Sequence, residues 1–263
     1  MPMTHPLLQV DGLEKRFGGI TAVQDYSLAL ERNELVGLIG PNGAGKTTVF
    51  NMLSGILPPT AGTIRLQGMD ITRFAPHQTA KAGIARTFQN IRLFRDLTVL
   101  DNIKVAFHMH QGAGLWSTLA HLPGFRNSEA RIDKEARNFA EMMQLTPVLD
   151  EPAKNLPYGD QRRMEIARAM ATGPRVLLLD EPAAGMNPQE TQELMETIRT
   201  LHREHGISIL IVEHDMRMVM NLCQRLQVLN QGRLLAQGTP DQIQRSPEVI
   251  AAYLGTSQSK ERK

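Results

Sequence analysis

The stretch "ELVGLIGPNGAGKTTVFNML" (34–53) constrains the fold more than any other part of the chain. A short apolar run ends in glycine, a Gly-rich turn follows, and helical spacing begins at once. Residues 40–48 fit the pattern G-x-x-x-x-G-K-[ST], with Gly40, Gly45, Lys46 and Thr47 in the defining places. The physics of that pattern is direct. Glycines allow backbone N–H groups to curl around a phosphate, and the helix N-terminus adds its partial positive charge. Lys46 is placed to reach β- and γ-phosphates and Thr47 to hold Mg²⁺, while Gly43 and Thr48 line the cradle. A chance Gly-rich turn is the bland alternative, and it predicts neither the strand before nor the helix after.

The rest of the chain reads as alternating strands and helices. "LLQVDGL" and "VQDYSLAL" alternate like half-buried strands, "AGTIRLQGMD" is a strand with a turn, and "IARTFQN" is a strand running into a loop. Helical patterns dominate from about residue 96 to 172. β-Patterns then return in "RVLLLD", "ISILIVEHD" and "LQVLNQGRLLAQG", with the helix "PQETQELMETIRTLHREHG" between them. This order predicts an α/β fold with a largely parallel sheet and a helical block inserted into it. The expected division is 1–95, 96–172, 173–238 and 239–263, the last part a helical extension ending in a disordered "TSQSKERK" tail.

Composition excludes several classes. No apolar run approaches the length that spans a bilayer, and "MPMTHPLLQV" has neither the charged nor the apolar region of a secretory signal. A single cysteine, Cys223, rules out an internal disulfide and suits a reducing compartment. The net charge of +2 is too balanced to point to nucleic acid as a partner.

A second chemical feature is "VLLLDEP" (176–182), an apolar strand ending in two carboxylates. Asp180 at the strand end suits a Mg²⁺ contact through water. Glu181 points differently and suits a general base for an attacking water. Taken alone, the pair reads as a solvated acidic turn. The phosphate loop gives it a purpose.

Five segments, "GPNGAGKTT", "TFQN", "LPYGDQRR", "LLLDEPAAGMNP" and "IVEHDM", stand in an order that resembles the ATP-binding cassette family, the nucleotide-binding subunits of ABC transporters. The resemblance covers nearly the whole chain. It implies a P-loop NTPase (RecA-like) core with an N-terminal antiparallel β subdomain and an inserted α-helical subdomain. It implies ATP and Mg²⁺ as ligands, held by Asn42, Gly43, Ala44, Gly45, Lys46, Thr47 and Thr48. Phe17 stands where the family stacks an aromatic ring on adenine, with Val23 nearby. Gln89 matches the glutamine that senses Mg²⁺ and the attacking water, so the implied metal set is Thr47, Gln89 and Asp180. His214 matches the histidine that contacts the γ-phosphate, and the implied catalytic set is Glu181, His214, Gln89 and Lys46.

The family signature, usually L-S-G-G-Q, reads Leu156-Pro157-Tyr158-Gly159-Asp160 in this chain. Gly159 is kept and would serve in trans, facing the nucleotide of a second subunit. Pro157 removes the usual hydroxyl and one N–H, though proline is comfortable at a helix start. Asn187 replaces the aspartate often found after "EPAAGM". These departures suggest a dimer with an unequal second ATPase subunit, a homodimer being the alternative.

The "YG-x-QRR-x-EIARAM" form, "DEPAAGMNP", the ending "GTPDQIQRSPEVIAAYLG" and an insertion at 107–128 containing Trp116 resemble the ATPases of branched-chain amino acid importers. That branch implies separate membrane permease subunits, an external substrate-binding protein engaged indirectly, and a peripheral position on the cytoplasmic face of a bacterial inner membrane. Urea and amide importers and the lipopolysaccharide-export ATPase share much of the pattern. A soluble cassette ATPase of ribosomes or DNA is the rival from another class, and a kinase sharing only the phosphate loop is a third.

Overall fold

The computed structural model describes residues 6–107 and 123–258, apart from the side chains of 123–128 and 254–258. Trp116, most of the 107–128 insertion and residues 259–263 lie outside the described residues. In chain order the elements are β1 (Leu8–Phe17), β2 (Ile20–Leu30), β3 (Leu35–Ile39), α1 (Lys46–Leu53), β4 (Ala61–Leu66), β5 (Met69–Asp70), α2 (Pro76–Ala82), β6 (Ile84–Arg86), α3 (Val99–Phe107), α4 (Pro123–Met142), α5 (Tyr158–Met170), β7 (Val176–Asp180), α6 (Pro188–His205), β8 (Ser208–Val212), α7 (Met216–Leu222), β9 (Arg225–Asn230), β10 (Arg233–Gly238), α8 (Pro240–Gln244) and α9 (Pro247–Gln258).

Two sheets form. Strands β2-β1-β4-β5 make an antiparallel sheet, and β10-β9-β3-β8-β7-β6 make a mostly parallel one, with only β10 reversed against β9. The fold is therefore α/β, as the alternation of patterns predicts. Residues of the central parallel strands are buried on both faces, as helix-covered strands must be. Successive side chains point to opposite faces. Accordingly Leu35, Ile39, Leu177, Leu179, Ile209 and Ile211 belong to one core, shared with α3, α5 and α6. Val36, Leu38, Val176, Leu178, Leu210 and Val212 belong to the other, shared with α1 and the antiparallel sheet.

Polar ties join the two sheets. The buried Tyr26 hydroxyl donates to Gln227 Oε1 at 2.7 Å, and Arg225 Nη2 donates to Ala29 O at 2.6 Å. The β9–β10 turn docks on both sides of this junction: Gly232 N–H donates to Ala44 O at 2.9 Å, and Gln24 N–H donates to Gly232 O at 2.8 Å. Gly232 sits at φ 80°, and a Cβ there would lie 2.7 Å from Ala22 O, so only glycine closes this contact. At the C-terminus, α9 runs to Gln258 and so takes in the first residues of the stretch that the sequence reads as disordered. Once a helix is nucleated, each added residue gains a hydrogen bond.

Candidate active site

The parallel strands all end at one edge of the sheet, and the functional segments begin where four of them stop. Gly40 follows β3, Thr87–Gln89 follow β6, Glu181 follows β7, and Glu213–His214 follow β8. Ligand crevices in open α/β sheets lie at such carboxyl ends.

The phosphate loop is a preorganised turn that only glycines can make without strain. Gly40 (φ 149°), Gly43 (φ 79°) and Gly45 (φ 104°) all adopt positive φ. At Gly40 a Cβ would stand 2.0 Å from Leu229 O, so the loop can enter the sheet here only as glycine. Gly43 has open space around it, leaving room for a ligand. Gly45 is the N-cap of α1 and offers no side chain to its orphan N–H groups, and no acidic residue lies in the first turn. The helix N-terminus is thus left for an anion. Lys46 is buried, and its Nζ donates to Gly40 O at 2.6 Å and to Pro41 O at 3.0 Å. Burial pushes its ammonium below the usual lysine range, opposed by the nearby carboxylates of Glu181 and Asp180.

Asn42, Gly43 and Thr47 are exposed, and Thr48 is half-buried. Ala44 is buried, with its N–H turned back to Pro41 O at 3.1 Å. Val23 is fully buried, and its Cγ2 lies 3.3 Å from where a Gly45 Cβ would stand. It supports the loop from beneath rather than facing the open side, as a strand residue of inward phase must.

The acidic end gathers the remaining residues. Asp180 is buried and paired with Arg86 (Nη2 to Oδ2, 2.7 Å). Its Oδ1 accepts no hydrogen bond among the described residues. Glu181 adopts φ 47°, a conformation that costs a non-glycine residue about 1 kcal/mol. Its N–H donates to Val212 O at 2.8 Å, and its Oε2 accepts from Gln89 Nε2 at 2.8 Å. His214 is largely exposed, with Nδ1 at 3.8 Å from Glu181 Oε2 and from Glu213 Oε2. Lys46, Gln89, Asp180, Glu181 and His214 are therefore brought together.

Sequence reasoning missed Glu213. It is fully buried, and its carboxylate accepts from Ala183 N–H (2.9 Å) and His214 N–H (3.0 Å). It braces the two loops that carry Glu181 and His214. Burial pushes its carboxyl above the usual range, partly offset by these N–H donors. Arg86 was also missed. Glu213 lies within "IVEHDM" but reads there only as an acid beside a histidine, and Arg86 reads as a basic residue at a strand end.

Two predicted residues stand apart. Phe17, at the tip of the β1–β2 hairpin, is half exposed under Lys15 Nζ, 5.4 Å from the ring centroid. Gly159 lies in the first turn of α5 against Glu190, and among the described residues no hydrogen bond joins it to the loop 40–48 of its own chain. Pro157 is the N-cap of α5 with no side-chain cap, so the N–H groups of that turn are also left open. Asn187 has a local structural role. It caps α6, its Oδ1 accepting from Gln189 N–H (2.9 Å) and Glu190 N–H (3.0 Å).

The residues present fit a nucleotide and its cation. The uncapped α1 terminus, the open space at Gly43 and the Lys46 ammonium suit phosphates. Thr47, Gln89 and the unpaired Oδ1 of Asp180 offer hard oxygens for Mg²⁺. Among the described residues no group of three His, Cys, Asp or Glu side chains could cage a metal, so phosphate oxygens would complete such a site.

The family described as "ABC transporter" matches residues 23–184, and one described as "Branched-chain amino acid ATP-binding cassette transporter" matches 233–258. The chain is 50% identical over 253 residues to the high-affinity branched-chain amino acid transport ATP-binding protein LivG of Salmonella typhimurium, covering 96% of this chain and 99% of that one. It is 48% identical to the corresponding protein BraF of Pseudomonas aeruginosa, with the same coverage. An ATP-binding cassette of an ABC transporter solved in its ADP conformation has a TM-score of 0.82 at 28% identity, covering 96% of this chain and 100% of that one. With an uncapped phosphate loop facing a carboxylate–glutamine pair at the strand ends, and with relatives matched along nearly its whole length, the chain belongs to the ABC transporter family of ATP-binding cassette ATPases.

Proposed function

We propose that this chain hydrolyses ATP to drive uptake of branched-chain amino acids through separate membrane permease subunits, working as a dimer with a second cassette on the cytoplasmic face of the membrane. The observation that carries the hydrolytic part is the Gln89–Glu181 hydrogen bond beside the Lys46 loop. The likeness to LivG over nearly the whole chain supports the cargo. No helix among the described residues is long and apolar enough to cross a membrane, so the permease would be supplied by other chains.

In this reading Lys46 and the N–H groups of residue 43 and residues 45–48 bind and orient the phosphates. Gln89 holds a water in line with the γ-phosphorus. Glu181 takes a proton from that water as its oxygen bonds to phosphorus. The bond to the β-phosphate oxygen breaks, leaving ADP and phosphate. His214 steadies the γ-phosphate. Mg²⁺, when bound by Thr47, Gln89 and Asp180, neutralises phosphate charge. Gly159 and the open α5 terminus serve the partner's nucleotide. A groove of about 690 Å³, lined by Arg86, Phe88, Phe94, Val105 and Arg168, lies beside the segment carrying Gln89 and seats a permease segment. Division of the chain at about 95, 172 and 238 follows from the same reading.

Extraction in mild detergent from native membranes should recover two permease chains and a second cassette, and labelled leucine uptake should depend on this chain. Ribosomal or DNA-associated partners, or no membrane protein at all, would overturn the proposal. Lys46→Met gives a separate check. Its ammonium is desolvated and has only carbonyl acceptors, so the nucleotide-free thermal midpoint should hold within about 2 °C. The stabilisation that ATP confers at a hundred times its Kd, about 2.7 kcal/mol, should vanish.

A further inference from the structure

We propose that Arg162 is a positioning residue that sets the spacing of Gln89 and Glu181 and ties it to helix α5. This inference rests on the hydrolytic reading above. Arg162 and Glu165 lie one turn apart on α5, and both are at most 2% exposed. The two groups form a buried ion pair (Nη1 to Oε2, 3.0 Å) that the helix could complete unaided. The guanidinium does more. Nη1 also donates to Phe88 O, and Nη2 donates to Gln89 O and, at 3.4 Å, to Glu181 O. Glu165 Oε1 accepts from Phe88 N–H at 3.2 Å. One turn of α5 therefore grips the Phe88 residue by both its N–H and its C=O. The same guanidinium reaches the main chain of both residues whose side chains meet at 2.8 Å.

Arginine is the side chain suited to this task. Its planar fork presents donors in fixed directions, whereas lysine is a point charge on a flexible stem. The Nε of Arg162 is buried without a partner, so the side chain is placed by its carbonyl contacts at some cost. The long contact to Glu181 O is the weakest of the set. Displacement of α5 would therefore carry the Phe88–Gln89 segment with it and release Glu181 first. The start of α5 is also where Gly159 would face a partner's nucleotide. A neighbouring subunit could in this way adjust the distance between the water-holding amide and the base.

Arg162→Lys tests this, since it keeps the charge opposite Glu165 and loses the fork. The expected result is a fall in kcat of roughly tenfold or more, because small displacements of positioned groups cost that much. KM for ATP and the Kd of a fluorescent ATP analogue should stay within twofold. Amide exchange across residues 87–90 of the nucleotide-free protein should accelerate roughly tenfold, with α1 unchanged. If Arg162→Lys does not fold, the charge-neutral pair Arg162→Gln with Glu165→Gln should show the same pattern. A kcat within twofold of wild type, or a raised KM at unchanged kcat, overturns the inference. Glu181→Gln is the control. If it hydrolyses ATP like wild type, the underlying reading of the site fails; if it is inactive while Arg162→Lys is fully active, the inference alone fails.

Discussion

Glu181→Gln is expected to lower kcat by at least about a hundredfold while leaving the Kd for ATP within about twofold, since general base catalysis contributes on the order of 10²- to 10⁴-fold. The replacement is nearly isosteric, so the φ of 47° and the bond from its N–H to Val212 O should survive. What changes is the atom facing Gln89. The carboxylate accepts from Gln89 Nε2 at 2.8 Å and can also take a proton. An amide oxygen can keep that hydrogen bond, but it cannot take the proton. Binding relies on the Lys46 loop, whose hydrogen bonds are to Gly40 O and Pro41 O and do not include Glu181. The check is steady-state hydrolysis beside direct titration with a fluorescent analogue. Turnover within tenfold of wild type would remove Glu181 as the base.

The strained backbone at Glu181 bears on the same point. A glycine would relax it, yet a charged residue stands in a left-handed conformation with its carboxylate aimed at Gln89. Outliers of this kind persist where the surroundings over-determine them. The surroundings are Val212 O holding the N–H, and Glu213 bracing Ala183 two residues on.

What the sequence revealed and what it hid follow from the range of the interactions. Gly40, Gly45 and Lys46 are legible because their job is local: a turn and a helix start within a few residues. Runs such as "VLLLD" and "SILIV" are legible because both faces of the sheet are covered, so every position is buried and all but Asp180 and Ser208 are apolar. Other features depend on distant partners. Arg86 meets Asp180 across 94 positions, and Arg162 meets Gln89 across 73. A single basic residue at the end of a strand does not announce such a partner. Even in β2, alternation misleads. Val23 and Tyr26 are both buried although an odd step separates them, because Asp25 at φ 51° shifts the phase of the strand. Asn187 has a role that its motif does not show: its side chain caps α6 through contacts that an aspartate could make equally well.

Arg86→Met is expected to cost about 3–5 kcal/mol, the range for breaking a buried ion pair by removing one partner. Both side chains of the Arg86–Asp180 pair are only 6% exposed, so neither charge has water to fall back on. Arg86 also donates from Nη1 to Asn51 Oδ1 (2.8 Å) and Ser54 Oγ (2.9 Å), and its guanidinium lies 5.6 Å from the Phe50 ring and 5.2 Å from Phe88. It thereby fastens α1, the end of β6 and the end of β7 to one another. For a chain of this size each kcal/mol moves the thermal midpoint by about 2–4 °C, so a drop of about 6–20 °C should be seen. The loss has a specific source, the uncompensated Asp180 charge, and this can be separated from lost packing. Adding Asp180→Asn to Arg86→Met should restore half or more of the stability, giving a coupling energy well above the error of a double-mutant cycle. Mg²⁺ without nucleotide should raise the midpoint of Arg86→Met more than that of wild type, because the bared carboxylate becomes a cation site, and should not raise that of the double variant. An Arg86→Met protein that melts within about 2 °C of wild type would show that Asp180 does not need its guanidinium, and the strand ends would then have to be held together by the apolar cores alone.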